Sequence, residues 1–202
     1  MNFEILLATN NAHKLKEIRQ ILSPHHITVY SMKDLNIDIG EVEENGSTYF
    51  ENALIKAKAL QKVSKMPIIA DDTGLEIVSM DNRPGLYTAR YAQELGGHQE
   101  AFKDIFKNIE GKDRSAYFIC SIVLLNVEDK PLKFEARIPG HISKEITTGD
   151  GFGYDPIFVC DEVNKTYAEM GQEEKNRVSH RGKALKKLLT YLKVNNLIAI
   201  NS

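Results

Sequence analysis

The sequence predicts an α/β protein in which helices flank a mixed β-sheet. Three apolar segments of strand length are typical of buried strands: Phe3 to Ala8, Ile68 to Ala70 and Ala116 to Val127. Leu132 to Ile138 alternates between apolar and polar residues, as in a half-exposed neighbouring strand. Other segments have apolar residues three and four positions apart, which is the helical spacing. With neither internal repeats nor a linker, residues 1–202 are expected to form one domain.

The first third of the chain is expected to hold one strand and two helices. The strand from Phe3 to Ala8 turns at Thr9-Asn10-Asn11 into a helix whose apolar face carries Leu15, Ile18 and Leu22. At the start of the second helix, Ser47-Thr48 and Glu51 resemble a capping box. The apolar stripe of this helix consists of Phe50, Ala53, Leu54 and Ala57.

The remaining elements are expected to complete the sheet and its helices. The strand Ile68 to Ala70 should be followed by a turn at Thr73-Gly74 and resume from Leu75 to Val78. Arg83-Pro84-Gly85 predicts a tight turn, and Glu128-Asp129-Lys130 a hairpin connection. Two further helices are indicated by the apolar stripes Ala101, Phe102, Ile105, Phe106 and Ile109, and Leu185, Leu188, Leu189 and Leu192.

The composition is that of an ordinary globular protein, with 42% hydrophobic and 27% charged residues. No apolar segment has membrane-spanning length and the N-terminus lacks the basic region of a signal peptide, so we expect a cytoplasmic protein without a membrane partner. The formal charge is −2 and basic residues are scattered, which disfavours a nucleic-acid partner. Cys120 and Cys160 belong to no metal or disulfide pattern and are expected to be reduced thiols.

The most informative motif is Ala70-Asp71-Asp72-Thr73-Gly74, which we expect to close a buried strand. Two adjacent carboxylates in such a place are unfavourable unless a cation or hydrogen bonds satisfy them. Mg²⁺ suits this role because it takes one or two protein carboxylates and completes its shell with phosphate oxygens and water. An Asx-type turn or a helix cap explains the motif equally well at this point. Glu43-Glu44 could supply another ligand, although paired surface glutamates are common.

Two lysine-containing segments are candidates for phosphate binding. The loop Thr9 to Lys14 joins a strand to a helix, where backbone N–H groups and the helix dipole favour an anion. Taken alone, a polar helix start with a solvated lysine is the better explanation, and the glycine pattern of a P-loop is absent. Lys56 lies between apolar positions of its helix, where a solvated face is the ordinary explanation.

Two later segments could recognise a nucleotide base. Gly149 to Pro156 contains three glycines that let the backbone approach a ligand, and Phe152 and Tyr154 offer flat surfaces. The alternative is a glycine-rich hairpin with aromatic core anchors. Ser179-His180-Arg181-Gly182 combines a possible N-cap serine with two donor side chains at a helix start, where such residues also occur by chance.

Taken together, these motifs resemble those of the inosine triphosphate pyrophosphatase family, also called Ham1-like. The matching segments occur in order over almost the whole chain, and no single one would suffice. They are Ala8 to Lys14, Glu43 to Gly46, Phe50 to Ala53, Ala70 to Leu75, Pro84 to Tyr91, Gly151 to Phe158 and Ser179 to Gly182.

The resemblance implies an elongated mixed α/β fold with a long central sheet, two lobes and a nucleotide cleft between them, usually in a homodimer. It also implies Mg²⁺-dependent hydrolysis of ITP, dITP and XTP to the monophosphate and pyrophosphate, which clears deaminated purines from the nucleotide pool. By position, Asp72 corresponds to the proton acceptor and a metal ligand, and Glu43 to the other metal-site carboxylate. The implied substrate-binding residues are Thr9, Asn10, Asn11, Ala12, His13, Lys14, Lys56, Thr73, Phe152, Gly153, Tyr154, Asp155, Lys175, His180 and Arg181.

The expected chemistry is in-line attack of water on the α-phosphorus, with Asp72 taking the proton. Arg181 and His180 would donate to the 6-oxo group of hypoxanthine or xanthine and disfavour the 6-amino group of adenine. Two alternatives remain open at this point. One is a Maf-like pyrophosphatase that acts on other nucleotides, and the other is a nucleotide-binding protein that does not hydrolyse its ligand.

Overall fold

A single mixed sheet organises the computed structural model, which describes residues 2–200. The strands are β1 (Phe3–Leu7), β2 (Ile27–Ser31), β3 (Ile68–Ile77), β4 (Arg83–Pro84), β5 (Ser115–Leu125), β6 (Leu132–Ile142), β7 (Phe158–Cys160) and β8 (Lys165–Thr166). Their order is β2-β1-β3-β5-β6-β7-β8, and β4 pairs with β3. β1 is parallel to both β2 and β3, whereas β3 and β4, β6 and β7, and β7 and β8 are antiparallel. The predicted mixed α/β architecture is confirmed.

The α-helices are α1 (Ala12–Leu22), α2 (Tyr49–Gln61), α3 (Thr88–Glu94), α4 (His98–Asn108), α5 (Gln172–Val178) and α6 (His180–Val194). Side chains accept from free backbone N–H groups at the start of α1 and α2. Thr48 caps α2 by accepting from the Glu51 N–H at 3.1 Å, and the Glu51 carboxylate reaches back to accept from the Ser47 N–H at 2.6 Å and the Ser47 hydroxyl at 2.7 Å. The cap predicted from Ser47-Thr48 and Glu51 is therefore present at the start of α2. In the described part of the chain, no helix is long and apolar enough to cross a membrane.

The chain divides into two compact units, and the first contains the described residues up to Asp72, 120–135 and those from Lys183 onward. Its core joins alternate side chains of three strands to one face of α2, and it contains Leu6, Ala8, Ala53, Ala57, Leu60, Ile68, Ala70, Val123 and Leu125. Ala53 and Ala57 lie one turn apart on α2, and their small side chains let the helix approach the sheet closely. The polar residues of this helix are thereby brought against β3.

The second unit contains residues 73–119 and 136–182, and aromatic rings form much of its core. The Phe118 ring stacks on His180 at 4.1 Å between centroids, with an angle of 8° between the ring planes. Phe158 meets Phe118 edge to face at 5.1 Å, and Tyr167 lies 5.1 Å from Phe158. Cys160 of this unit and Cys120 of the first are both buried thiols, as predicted.

The predicted turn at Thr73-Gly74 is wrong, because β3 runs without interruption for ten residues through both positions. Parts of the chain outside β3 pair with it along its length: the first residues of β3 pair with β1, and Glu76 pairs with Pro84 of β4. In addition, the Leu75 N–H donates to the Thr88 hydroxyl at 2.9 Å. These pairings outweigh the local preference of Thr-Gly for a turn, so Asp71 and Asp72 lie in the middle of a strand and not at its end.

Candidate active site

β3 directs Asp71 and Asp72 to opposite faces of the sheet, because successive side chains of a strand alternate. The Asp71 side chain is buried with 1% of its surface exposed, whereas Asp72 is half-buried. The two adjacent carboxylates therefore have different environments and different partners.

Asp71 is held by two lysines from different helices. The Lys14 ammonium lies 3.2 Å from the Asp71 carboxylate, and the Lys56 ammonium donates to the Asp71 carbonyl oxygen at 2.5 Å. The side chains of Lys14 and Lys56 are only 14% and 16% exposed. The expectation of a solvated lysine at each position is therefore wrong, because both ammonium groups turn inward to β3.

Lys56 remains charged in this environment. Burial by itself lowers the pKa of its ammonium group, but the attraction of Asp71, Glu44 and Asp72 outweighs burial and raises the pKa above its ordinary value. The lysine therefore places a permanent positive charge next to the acidic pair.

Asp72 has the properties of a proton acceptor. Burial, supported by the charge of Glu44, raises the pKa of its carboxyl group to about 6, although Lys56, Lys14 and Asn52 act in the opposite direction. The Asn52 amide donates to the Asp72 carboxylate at 3.2 Å. At neutral pH the carboxylate is ionised, yet it is more basic than an ordinary aspartate and so better suited to accept a proton.

The structure brings Glu44 into this group and leaves Glu43 at the surface. The Glu44 carboxylate lies 3.2 Å from the Lys56 ammonium, and its charge reaches Asp72. Glu43 is exposed. Of the two adjacent glutamates, the one beside Asp72 and Lys56 is thus Glu44 and not the predicted Glu43. Nothing in the sequence pattern alone distinguishes them.

The loop from Thr9 to Lys14 satisfies several of its own backbone N–H groups. The Asn11 side chain accepts from the N–H groups of His13 at 3.0 Å and Lys14 at 3.2 Å, and the Thr9 hydroxyl accepts from the Asn11 N–H at 3.1 Å. This is the polar helix start considered above. Asn10, Asn11, Ala12 and His13 are exposed and accessible to a ligand, which would compete with the Asn11 cap for the same amides.

In the second unit, Lys175 and Asp155 form a buried ion pair with 2.6 Å between the ammonium and carboxylate groups. The same Asp155 oxygen accepts from the Phe152 N–H at 2.9 Å, and the Lys175 ammonium lies 4.7 Å from the centre of the Phe152 ring. A Cβ atom on Gly151 would lie 2.5 Å from the Asp155 carboxylate, so only glycine permits this approach. The loop and α5 are thereby held together by one charged pair.

His180 and Arg181 lie at the start of α6 and are also buried. The Ser179 hydroxyl accepts from the Gly182 N–H at 3.1 Å, as expected of an N-cap. The Arg181 side chain is 2% exposed, and its guanidinium lies 5.8 Å from the Phe152 ring centre. Arg181 and Lys175 thus both lie near Phe152, while His180 faces the ring of Phe118.

Tyr154 does not present a flat surface to a ligand, which corrects that expectation. Its ring is buried, meets His98 edge to face at 5.2 Å and Phe102 at 5.9 Å, and its hydroxyl donates to the Thr88 carbonyl at 2.6 Å. The alternative of an aromatic core anchor holds for this residue. Phe152 is half-buried, and Gly153 has φ of +62°, a left-handed conformation that favours glycine.

Sequence reasoning missed Asn52 as a member of the site. This buried residue lies one helical turn before Lys56, and both side chains reach β3. A polar residue flanked by the apolar positions of α2 was the signal that could have identified it.

The protein is of the α/β class, and acidic side chains and lysines form a cluster around the central part of β3. Comparison with known proteins identifies its family. The chain belongs to the Ham1 family, whose model matches residues 5–191. The dITP/XTP pyrophosphatase of Clostridium perfringens is 41% identical over 199 residues, covering 94% of this chain and 97% of the relative. That of Bacillus subtilis is 40% identical over 188 residues, covering 92% and 94%.

Solved structures agree with this assignment. The HAM1 protein from Coxiella burnetii superposes with a TM-score of 0.83 and 37% identity, covering 94% of this chain and 98% of that chain. The Staphylococcus aureus Ham1 protein gives a TM-score of 0.83 and 34% identity, covering 95% and 99%. Both the fold and the family are therefore shared over nearly the full length.

Proposed function

We propose that this protein is a nucleoside triphosphate pyrophosphatase that hydrolyses ITP, dITP and XTP to the nucleoside monophosphate and pyrophosphate. It thereby removes deaminated purine nucleotides from the nucleotide pool. The observation that carries the proposal is the position of Asp72, a carboxylate with a raised pKa beside two inward-turned lysines. The dITP/XTP pyrophosphatases named above, which are about two-fifths identical over nearly the whole chain, support the same substrate class.

The first unit carries the groups for hydrolysis. Lys14 and Lys56 supply positive charge for the triphosphate, and the exposed loop Asn10 to His13 supplies backbone amides. Asp72 accepts the proton of the water that attacks the α-phosphorus. Because positioning and electrostatic stabilisation do most of the work in phosphoryl transfer, the fixed lysines account for much of the expected rate enhancement.

The donor set of this unit fits Mg²⁺. Glu44 and Asp72 are oxygen donors whose mutual repulsion contributes to the raised pKa of Asp72, and a divalent cation held by both would relieve it. Within the described residues, no group of three His, Cys, Asp or Glu side chains could hold a metal alone, so phosphate oxygens and water would complete its shell. When bound, the ion would neutralise charge on the phosphates. Glu44 takes the place of the predicted Glu43 in this proposal.

The second unit carries the candidate groups for base recognition. Arg181 is a permanent donor that matches the 6-oxo group of hypoxanthine and xanthine, while the 6-amino group of adenine would face it donor to donor. Phe152 lies beside Arg181 and Lys175 and offers the remaining aromatic surface. Tyr154 supports this loop from the core and does not contact the base in our proposal.

A cytoplasmic location, a homodimer, and the absence of nucleic-acid and membrane partners stay predictions. Size-exclusion chromatography with light scattering tests the homodimer directly, and a mass of one chain in solution contradicts it.

The test of the proposed function is a panel of nucleoside triphosphates with Mg²⁺, with pyrophosphate and orthophosphate measured separately. We expect pyrophosphate from ITP, dITP and XTP, little turnover of ATP, and a loss of several orders of magnitude in Asp72→Asn. Preferred turnover of pyrimidine nucleotides would favour the Maf-like alternative, and binding without pyrophosphate release would favour a non-hydrolysing protein. Arg181→Ala tests the base assignment, which fails if the variant still prefers ITP over ATP as strongly as the parent.

A further inference from the structure

Asn52 connects two parts of the candidate active site from a buried position. Its side-chain amide donates to the Asp72 carboxylate at 3.2 Å, and its side-chain oxygen accepts from the Gly46 N–H at 2.8 Å. The residue is 3% exposed and lies at the end of the first turn of α2. One side chain therefore contacts both the candidate catalytic carboxylate and the segment that carries Glu44.

The chemistry of the two partners fixes the orientation of the Asn52 amide. A backbone N–H can only donate and the ionised Asp72 carboxylate can only accept, so the oxygen must face Gly46 and the nitrogen must face Asp72. A reversed amide would place donor against donor and acceptor against acceptor. No other uncharged side chain of the same size provides one donor and one acceptor in this geometry.

The segment from Glu44 to Gly46 is held to α2 at both of its ends. Glu44 pairs with the Lys56 ammonium at 3.2 Å, and Gly46 bonds to Asn52 one helical turn earlier. A Cβ atom on Gly46 would lie 2.8 Å from the Asn52 side-chain oxygen and 3.0 Å from its backbone nitrogen. The absence of a side chain at Gly46 is thus what permits the close approach.

We propose that Asn52 is a positioning residue, which holds the Asp72 carboxylate and the Glu44–Gly46 segment in one fixed arrangement. The inference rests on the proposed function, because it assigns Asn52 its effect through Asp72. In this role Asn52 contributes to catalysis without touching a reacting atom. Lys56 complements it from the same face of α2 by bonding to the carbonyl of Asp71.

Two variants separate the two contacts of Asn52. Asn52→Ala removes both contacts. We expect kcat to fall about 10- to 100-fold, with a smaller change in KM, because losses of this size are typical when a residue that orients a metal-binding side chain is removed. The Gly46 amide should also lose its protection from hydrogen exchange. Asn52→Asp keeps the acceptor for Gly46 but replaces the donor by a second carboxylate facing Asp72. We expect it to lose kcat to a similar extent while Gly46 stays protected, which assigns the loss to the Asp72 contact.

Asn126→Gly is the matched control in the same unit. The Asn126 amide donates to the carbonyl groups of Met66 at 2.8 Å and Ser64 at 3.3 Å, and its φ of +64° is one that glycine adopts without strain. We expect this variant to lower the melting temperature and leave kcat unchanged. If it lowered kcat as much as Asn52→Ala, the effect of Asn52 would reflect a general loss of stability, and the proposal would be overturned.

The outcomes distinguish this inference from the function on which it rests. If Asp72→Asn abolishes turnover and Asn52→Ala keeps the parent kcat, the positioning role is wrong and the proposed function stands. If Asp72→Asn keeps normal turnover, the proposed function fails first. If Asn52→Ala does not fold, the isosteric Asn52→Asp carries the test, and parent-like kcat in that variant overturns the proposal.

Discussion

Replacing Asp72 by asparagine should inactivate the protein and also make it more stable. The reason is that the folded state holds the Asp72 carboxylate in surroundings that disfavour its charge. Burial is the main cause, and the neighbouring Glu44 adds repulsion that Lys56 and Lys14 only partly offset. Asparagine has nearly the same shape, carries no charge, and retains an oxygen that can accept from the Asn52 amide.

The magnitude follows from the pKa of Asp72, which is raised from 3.8 to about 6 in the folded protein. Each unit corresponds to about 1.4 kcal/mol, so ionised Asp72 lowers the free energy of unfolding by about 3 kcal/mol at neutral pH. For this group the folded state binds more protons than the unfolded state between about pH 4 and pH 6. The decrease in the free energy of unfolding is therefore absent below about pH 4, grows as the pH rises, and is complete above about pH 6.

Urea unfolding of the parent and of Asp72→Asn at two pH values measures this effect. At pH 7.5 we expect the variant to be more stable by up to about 3 kcal/mol, or by about 6 to 12 °C in melting temperature for a chain of this length. At pH 4 the two proteins should have nearly equal stability. Asp129→Asn, which neutralises an exposed carboxylate of the same unit, serves as the control and should change stability by less than about 0.5 kcal/mol.

Two results would refute this reasoning. One is a variant no more stable than the parent at pH 7.5, and the other is a gain of the same size at pH 4. The first would mean that Asp72 is adequately solvated or paired, and the second that asparagine stabilises the fold by packing and not by removing a charge. In either case the protein would not sacrifice stability for a basic carboxylate, as active sites often do.

Three further predictions concern the lysines, the glycines and the metal. Lys14→Met should lower stability by about 3 to 5 kcal/mol, because it removes the ammonium group that lies 3.2 Å from the buried Asp71 carboxylate. Adding Asp71→Asn should recover most of this loss but no activity, and an additive double mutant would contradict the prediction. Gly182→Ala should cost about 1 to 3 kcal/mol, since its Cβ would lie 1.7 Å from the Asn176 carbonyl oxygen, whereas Gly171→Ala, with open space around the new Cβ, should be tolerated in thermal unfolding. Treatment with EDTA should abolish pyrophosphate release and Mg²⁺ should restore it, and undiminished turnover without divalent ions would exclude the proposed metal.

Periodicity was sufficient to predict most of the fold. The apolar segments predicted β1, β5 and the start of β3, and the alternation from Leu132 to Ile138 predicted β6. The helical spacings predicted α1, α2, α4 and α6, because burial of one face imposes a periodic pattern on the sequence. The turn expected at Thr73-Gly74 failed because β3 is sustained by Thr88 and by pairing with β4. Such pairings join residues far apart in the chain, and a local preference cannot report them.

The acidic pair and the glycine-rich loop were identifiable from residue type, but their partners were not. Lys14 and Lys56 have the sequence context of solvated lysines, yet their ammonium groups turn inward because β3 offers a carboxylate and a carbonyl oxygen within reach. The choice of Glu44 over Glu43 depends on which of two adjacent side chains faces α2. These features depend on tertiary contacts, which spacing along the chain does not specify.

The charge of this cluster gives an independent reason to expect a divalent ion. At neutral pH three carboxylates, those of Asp71, Asp72 and Glu44, lie around two ammonium groups, those of Lys14 and Lys56. The group alone therefore has an excess of negative charge and would repel a triphosphate, which is itself highly anionic. A divalent cation held by Glu44 and Asp72 would offset this negative charge, and Lys14 and Lys56 would then attract phosphate oxygens. An anion site built with more acids than bases is consistent with a substrate that binds together with its metal.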